Sequence, residues 1–369
     1  MAKSGHSAHR DLIVIGASAG GVQALSELVS QLGPSVDAAI LIVMHFPTAA
    51  TSVLPRILAR AGRMPAAHAI DRARIEKGTI TIAPPGLHMV VADGGVRLIH
   101  GPQQNGHRPS IDALFRSVAH EYGRRAIGVV LSGLLDDGTA GLAAIKRRGG
   151  TTVVQDPQDA QYPDMPRNAI ENVPVDHVLP VARMGACLLE LLAAELPPAR
   201  SASADDDLDY ETAADRLEAR VVHPSHPSGE PSTFTCPDCG GALWELVGDE
   251  PLRFRCYVGH GFTSESLESL QRTKEERALW TSLRTLEESA RLSQRLEERM
   301  SKRGQALSAA DFRLRAAEAL ESAEVIRQIL LHRHAEAVQP PAPPVDDDTL
   351  AEDKEDRQTS TLDPDEGTD

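Results

Sequence analysis

Residues 12–21, LIVIGASAGG, decide the fold of this chain. The first four are an apolar run of the kind that forms a strand buried on both faces, and the rest make a glycine-rich turn. Residues 22–32 then place apolar side chains at the spacing of one helix face, at Val22, Leu25, Leu28, Val29 and Leu32. A strand, a glycine turn and a helix together form the first unit of a parallel α/β sheet.

Similar units recur as far as residue 196. Apolar runs between helical patterns predict further buried strands at residues 39–44, 126–131 and 151–154. The pattern therefore predicts a doubly wound, mostly parallel α/β sheet over residues 11–196.

Two segments between those strands look different. Residues 79–83 and 89–100 predict an antiparallel excursion, with a hairpin turn at Asp93-Gly94-Gly95.

The 369-residue chain carries a formal charge of −15 that is unevenly placed. Residues 337–369 hold 11 acidic and 2 basic side chains, and residues 198–231 hold 8 and 3, which leaves about −1 for the rest. A nearly neutral remainder favours no nucleic-acid partner. With no apolar run of about 18 residues and a polar first ten, we expect a cytoplasmic protein without membrane insertion.

Composition and pattern divide the chain into six segments. They are a disordered N-terminus (1–10), the α/β domain (11–196), an acidic linker (197–231), a zinc-ribbon-like segment (232–262), a helical hairpin (263–336) and a disordered acidic tail (337–369).

Ser18 lies in a G-x-S-x-G pattern between a strand and a helix, the context in which this motif presents a nucleophile. A glycine turn after a strand can equally cradle a phosphate, so both interpretations stand for this motif alone.

His45 and Asp137 follow two other predicted strands. The carboxyl ends of parallel strands meet at one crevice, so a hydroxyl, an imidazole and a carboxylate would come together as a Ser-His-Asp relay. The alternatives are a structural histidine, and a magnesium site at Asp136 and Asp137 beside a phosphate loop, although no Walker lysine follows Ser18. The order Ser, His, Asp also differs from that of the α/β-hydrolases.

Six ordered blocks resemble the catalytic domain of the chemotaxis protein-glutamate methylesterases (CheB type). They are IGASAGG (15–21), VMHFP (43–47), IAPPGLHM (82–89), GHRPSIDALF (106–115), LSG with DGTAG (131–133 and 137–141) and MPRNAI (165–170). Ala19 and Asp136 depart from the family pattern, which often has a hydroxyl residue and an asparagine there.

The resemblance implies that Ser18, His45 and Asp137 form the catalytic triad, and that the backbone amide of Leu134 helps to hold the oxyanion. It implies hydrolysis of glutamate γ-methyl esters on chemoreceptor signalling helices, with deamidation of glutamines as a related activity and no cofactor for catalysis. Since the first strand begins at Leu12, we expect a standalone form without a receiver domain.

Three of the four cysteines lie close together in the sequence. Cys236-x2-Cys239 and Cys256-x3-His260 have the spacing of two zinc knuckles, with a reduced mini-domain without metal as the alternative. Four protein ligands would make a structural Zn2+ site, so we expect chelation to unfold this segment without abolishing activity.

The helical hairpin is expected to be a surface for self-association or for a partner, such as a receptor array or a methyltransferase. The alternative is a solvated hairpin packed on the ribbon. An alternative for the whole chain is a catalytically silent adaptor of the same fold that acts through its C-terminal helical part. A non-enzymatic nucleotide-binding protein is the third possibility.

Overall fold

The computed structural model describes residues 9–34, 36–46, 52–196, 206–216, 229–246 and 251–338. These residues fall into two compact units that divide between Lys274 and Glu275. The remaining parts of the segments predicted as disordered or linker lie outside the described residues.

The α/β domain follows the predicted alternation of strands and helices. Its elements in chain order are β1 (Leu12–Ala17), α1 (Gly21–Ser30), β2 (Ala39–Met44), α2 (Leu54–Ala61), β3 (Ala66–His68), β4 (Ile80–Ile82), β5 (His88–Ala92), β6 (Gly95–Ile99), α3 (Ile111–Tyr122), β7 (Ala126–Val130), α4 (Thr139–Arg147), β8 (Thr151–Gln155), α5 (Asp164–Asn172), β9 (His177–Leu179) and α6 (Val181–Ala193).

Seven of these strands form one parallel sheet, which confirms the predicted fold class of this domain. Their order is β3-β4-β2-β1-β7-β8-β9, and each neighbouring pair runs parallel. The chain starts in the middle at β1, builds outward through β2, and then returns to the other side of β1 with β7. The strand order therefore reverses between β1 and β7, where the ligand crevice of an open α/β sheet lies.

Side chains of alternate strand residues enter cores on opposite faces of this sheet. Leu12 and Val14 join the core that α3, α4 and α5 cover, while Ile13 and Ile15 join the core under α1, α2 and α6. A strand buried on both faces has to be apolar throughout, which explains the continuous run in the sequence. Helices on both faces make the sheet doubly wound.

The prediction of an antiparallel excursion is correct for residues 89–100 and wrong for residues 79–83. β5 and β6 form the expected antiparallel hairpin. β4 instead runs parallel to β2 inside the main sheet, with Ile40 opposite Ile80 and Ile42 opposite Ile82. Ile80 and Ile82 are both buried in the core under α1 and α2, and this burial outweighs pairing with the hairpin that follows in sequence.

A helix, α7 (Asp206–Asp215), lies within the segment predicted as linker. Its Asp215 accepts hydrogen bonds from Arg116 Nε (2.9 Å) on α3 and from Arg255 Nη2 (3.3 Å). Glu211, one turn earlier, pairs with Arg253. The acidic residues that suggested a solvated linker thus include two that are buried in ion pairs.

We expect Asp215→Ala to destabilise the protein by about 3 to 5 kcal/mol, since it would leave two buried guanidinium groups without this carboxylate. Asp209→Ala is the matched control on the same helix. Its carboxylate is about half exposed and pairs with Arg148 and His120, so its loss should cost less than about 1 kcal/mol. Denaturant unfolding followed by circular dichroism would measure both, and equal effects would contradict the burial argument.

The remaining elements of the first unit are a four-stranded antiparallel sheet and the start of a long helix. The strands, in the order β10-β11-β12-β13, are β10 (Gly229–Thr235), β11 (Ala242–Leu246), β12 (Arg253–Cys256) and β13 (Gly261–Thr263). We call this sheet the ribbon. It occupies most of the segment predicted to be ribbon-like.

Two long helices follow the ribbon in the chain. α8 (Ser264–Lys302) and α9 (Ala306–Val338) are joined by a turn at residues 303–305. In the second unit, Leu283 of α8 packs with Ala323 and Leu330 of α9. Arg327 also pairs with Glu287 across the two helices (2.6 Å).

Candidate active site

Ser18 follows β1 directly, at the point where the strand order reverses. Its N–H donates to the Ser132 carbonyl (3.0 Å), which ties it to the loop after β7. Gly20 has a positive φ of 72°, and a Cβ built on it would lie 2.7 Å from Ser132 Oγ. Only glycine suits this position, and it lets the chain turn sharply from the strand into α1.

His45 follows β2 and lies between the other two predicted triad residues. Its Nδ1 is 3.2 Å from Ser18 Oγ, and its Nε2 is 2.8 Å from Asp137 Oδ2. A carboxylate can only accept, so Nε2 carries the hydrogen and Nδ1 is left as an acceptor toward the serine. The structure thus brings Ser18, His45 and Asp137 into one chain of hydrogen bonds.

Asp137 is buried, and five hydrogen bonds satisfy its carboxylate. Besides His45, the donors are Asn105 Nδ2 (3.0 Å), Ser110 Oγ (2.9 Å), Ile111 N (2.7 Å) and Asp112 N (3.3 Å). Burial alone would raise the pKa of Asp137, but the hydrogen bond and charge of His45, together with the other donors, hold it well below its usual range. Asp137 is therefore ionised and fixed at the amino end of α3.

Sequence reasoning missed the residues that hold Asp137, although three of them lie in the quoted block at 106–115. The one signal in the sequence was Ser110, a serine just before an apolar helical pattern, which predicts a side chain that caps the helix. Ser110 instead donates its hydroxyl to Asp137, and Asn105 lies outside any quoted block.

His107 is another residue that the sequence did not single out. Its ring stacks on that of His45, with centroids 3.7 Å apart and planes 12° from parallel. Burial, then the charge of His45, lowers the pKa of His107 to about 4. A neutral ring therefore covers one face of His45.

We expect protonation of His107 to weaken the fold in acid. Because the folded pKa of about 4 lies below the ordinary 6.5, the unfolded state takes up the proton first as the pH falls. The stability that neutral His107 contributes is complete above about pH 6.5 and is lost as the pH falls toward 4.

The comparison for this prediction is His107→Phe, which keeps a ring against His45 but does not titrate. Buried Asp136 and Asp112 have raised pKa values, so their protonation stabilises the fold as the pH falls. Both proteins share this effect, and the prediction therefore concerns the difference in unfolding free energy between them. Between pH 6.5 and 4 the parent should lose roughly 2 to 3 kcal/mol more unfolding free energy than the variant. The prediction would be contradicted if the unfolding free energies of the two proteins, measured with denaturant at several pH values, changed with pH in parallel.

Leu134 lies in the loop after β7, next to Gly133 and near Ser18. A Cβ built on Gly133 would lie 2.9 Å from Ser18 Cβ and 2.0 Å from Met165 Sδ, so only glycine lets the loop pass this close to the serine. Gly133 N donates to the Tyr162 carbonyl (3.0 Å), whereas the Leu134 N–H has no acceptor among the described residues. A free amide in this loop is suited to hold a developing oxyanion.

Asp136 and Asp112 are the other buried carboxylates beside Asp137. Asp136 accepts from Ser266 Oγ (2.6 Å), and burial raises its pKa to about 6. Burial and the charge of Asp137 raise the pKa of Asp112 to about 8. In the described part of the chain, neither belongs to a group of three or more His, Cys, Asp or Glu side chains close enough to share a metal ion.

Cys236, Cys239, Cys256 and His260 come together at one end of the ribbon. Their ligand atoms all lie within 4.8 Å of one another. Cys239 Sγ is 3.7 Å from Cys256 Sγ, and His260 Nδ1 is 3.7 Å from Cys236 Sγ and 3.4 Å from Cys256 Sγ. Zinc–sulfur bonds of about 2.3 Å in a tetrahedron place ligands about 3.5 to 3.8 Å apart, so this group fits Zn2+.

Known proteins match about half of this chain, within the α/β domain. A family model described as CheB methylesterase matches residues 13–188. The protein-glutamate methylesterase/protein-glutamine glutaminase 2 of Anaeromyxobacter dehalogenans is 39% identical over 185 residues, which are 50% of this chain and 54% of that protein. The corresponding protein 1 of Caulobacter vibrioides is 37% identical over 188 residues, with 50% and 54% covered.

A solved structure, the Thermotoga maritima CheB methylesterase catalytic domain, is 30% identical, with 49% of this chain and 98% of that chain covered and a TM-score of 0.48. This chain spans about half the length of the curated relatives it matches. Among the described helices, none is long and apolar enough to cross a membrane.

Proposed function

Residues 13–188 belong to the CheB methylesterase family, and from this premise we propose that the chain is a protein-glutamate methylesterase acting on chemoreceptors. The observation that carries the proposal is the hydrogen-bonded chain from Ser18 Oγ through His45 to Asp137 at the crevice of the sheet. The relatives' names add glutamine deamidation as a second activity of the same site.

In this proposal Ser18 Oγ attacks the ester carbonyl of a glutamate γ-methyl ester, and His45 Nδ1 takes the hydroxyl proton. Asp137 keeps the hydrogen on Nε2 and stabilises the imidazolium that forms. The Leu134 amide donates to the tetrahedral oxyanion. His45 then returns the proton to the leaving methoxide, so that methanol departs and an acyl-serine remains.

Water completes the reaction by the same steps in reverse order. His45 takes a proton from the water as it attacks the acyl-serine, and then returns it to Ser18 Oγ, which releases the glutamate carboxylate. A glutamine side chain would follow the same route with ammonia as the leaving group. Both substrates pass through an oxyanion, so one triad serves them.

The test is methanol release from receptor fragments that carry labelled methyl groups, with purified full-length protein. We expect methanol from the parent, and ammonia from fragments with the corresponding glutamines. Fragments that bind but release neither product would favour the catalytically silent adaptor instead. No binding and no release would argue against both.

We also propose that the Cys236–Cys239–Cys256–His260 group binds a structural zinc ion. The spacing of its four ligand atoms supports this, and four protein ligands leave no open position for catalysis. Elemental analysis of protein purified without chelator should find about one zinc per chain. Cys239→Ser should lower that content, while Cys187→Ser, at a cysteine outside the group, should not. Absence of zinc from the parent would contradict the proposal.

For the helical hairpin we propose a partner surface, used by a receptor array or a methyltransferase. Support comes from large apolar side chains that are more than half exposed in the second unit, at Leu292, Leu307, Leu314 and Leu331. Co-sedimentation of parent and Leu307→Lys/Leu314→Lys protein with receptor assemblies would test it. Equal co-sedimentation would count against these side chains as the contact.

A further inference from the structure

The loop that carries Asn105 and His107 lies between the ribbon and the triad. On the ribbon side, Gln104 Nε2 donates to the Gly259 carbonyl (3.2 Å) and Asn105 N to the Gly261 carbonyl (2.8 Å). On the other side, His107 stacks on His45. The same short loop therefore has partners in both places.

Asn105 makes the most direct connection. It is 4% exposed, and its Nδ2 donates both to Asp137 Oδ1 (3.0 Å) and to Asp112 Oδ2 (2.9 Å). Its Oδ1 accepts from the backbone N–H of Thr263 in β13 (3.0 Å). The carboxyl oxygens of Asp137 and Asp112 accept from the Asn105 N–H groups, and the Thr263 N–H donates to the Asn105 oxygen, so these partners fix which way the side-chain amide points.

The junction of β13 and α8 makes a second connection, to Asp136, the residue next to Asp137 in the chain. Ser266 Oγ, in the first turn of α8, donates to Asp136 Oδ1 at 2.6 Å, and Glu265 accepts from Asn168 Nδ2 (2.7 Å). Leu270, one turn on, packs so closely on Gly106 that a Cβ built there would lie 3.3 Å from its methyl groups. The start of α8 is thus held against the loop and against the residue next to Asp137.

The ribbon end of this connection is the cysteine–histidine group itself. Gly259 and Gly261 flank His260, and the turn is closed by Gly259 N to the Cys256 carbonyl (2.9 Å) and by Cys256 N to the His260 carbonyl (3.0 Å). Among the described residues, the ribbon and the start of α8 share an apolar core of six buried residues, two of which are the cysteines Cys236 and Cys256. Because small cores often need a metal to stay folded, we expect this one to depend on its metal.

We infer that Asn105 is a positioning residue through which the cysteine–histidine group, when it holds its metal, fixes the carboxylate of Asp137. The inference rests on the proposed function, because it assigns the regulation of that site. Metal loss loosens residues 256–263, Asn105 loses its two backbone partners there, and its amide no longer holds Asp137 Oδ1. The ligand spacing alone predicts that chelation leaves activity intact, whereas the connection through Asn105 predicts that activity falls.

The kinetic test compares full-length parent and Asn105→Gly, each with zinc and after chelation, on methylated receptor fragments. Glycine suits the positive φ of 51° at this position, so the variant removes the side chain without backbone strain. Metal removal should lower kcat of the parent by about 10- to 100-fold with little change in KM. In Asn105→Gly, the same removal should lower kcat by less than about 3-fold, since the connection is already cut.

Two kinetic outcomes would overturn the inference. One is an unchanged kcat of the parent on metal removal, and the other is an equal fall in both proteins. Cys187→Ser should respond to metal removal as the parent does, because its thiol lies outside the cysteine–histidine group. Re-addition of zinc to the chelated parent should restore kcat, and circular dichroism should show the α/β domain folded throughout.

A readout that does not need turnover separates this inference from the proposed function. The proton on His45 Nε2, bonded to Asp137, should give a low-field NMR signal in the zinc-loaded parent. We expect the signal to shift or broaden after chelation and to be altered already in zinc-loaded Asn105→Gly. A signal that is indifferent to both changes would overturn the inference even if the protein proved to have no esterase activity.

Discussion

Ser18→Ala should lower kcat for methanol release by about a thousand-fold or more, with little change in KM. The methyl group that remains cannot attack the carbonyl, and members of a triad act as a unit, so His45 and Asp137 do not compensate. Methanol release under saturating substrate measures the effect. The residual rate would come from substrate binding and from the amide of Leu134.

Ser30→Ala is the matched control for this variant. Ser30 ends α1, and its exposed hydroxyl donates only to the Glu27 carbonyl one turn earlier (2.7 Å). Its loss should leave kcat within about two-fold of the parent. If Ser18→Ala kept a tenth or more of the parent rate, the nucleophile would have to be another group.

Asp137→Ala should be about as damaging as Ser18→Ala. It removes the acceptor of His45 Nε2–H, so the imidazole is free to take the tautomer that cannot accept the serine proton. It also leaves four further donors around Asp137 without their acceptor, so the unfolding free energy should be measured alongside kcat. We expect kcat to fall by about a thousand-fold or more in protein that is still folded.

Asp136→Asn is the control for Asp137→Ala, because it changes the adjacent carboxyl group. Asparagine keeps an oxygen that can accept from Ser266 Oγ, and Asp136 has no bond to His45 among the described residues. Its effect on kcat should stay below about ten-fold. If Asp136→Asn proved the more harmful of the two, the carboxylate of the relay would be assigned wrongly by one position.

The sequence predicted that Ser18, His45 and Asp137 lie close together, because the signals for their positions are local. A continuous apolar run marks β1, β2 and β7, and Ser18, His45 and Asp137 come shortly after these strands end. A parallel sheet brings such ends together whatever the detailed packing. The three side chains could therefore be selected before any contact between them was known.

The sequence did not predict the contacts that surround the relay, because they join segments far apart in the chain. Asn105 reaches Asp137 only because the sheet places the loop before α3 beside the loop after β7, and it reaches Thr263 across 158 residues. Likewise, α7 reads as linker because its acidic residues look solvated until the arginines of α3 and β12 are placed beside them. Local composition carries no information about such partners.

The stacking of His107 on His45 constrains how an ester can approach. Rotation of the His45 imidazole about its Cβ–Cγ bond would sweep its edge through the parallel ring 3.7 Å away and would break its bond to Asp137. In the proposed mechanism, Nδ1 must therefore both collect the serine proton and deliver it to the methoxide. Attack and departure then occur on the same side of the imidazole, so the proposed mechanism accepts only one facial orientation of the γ-ester carbonyl.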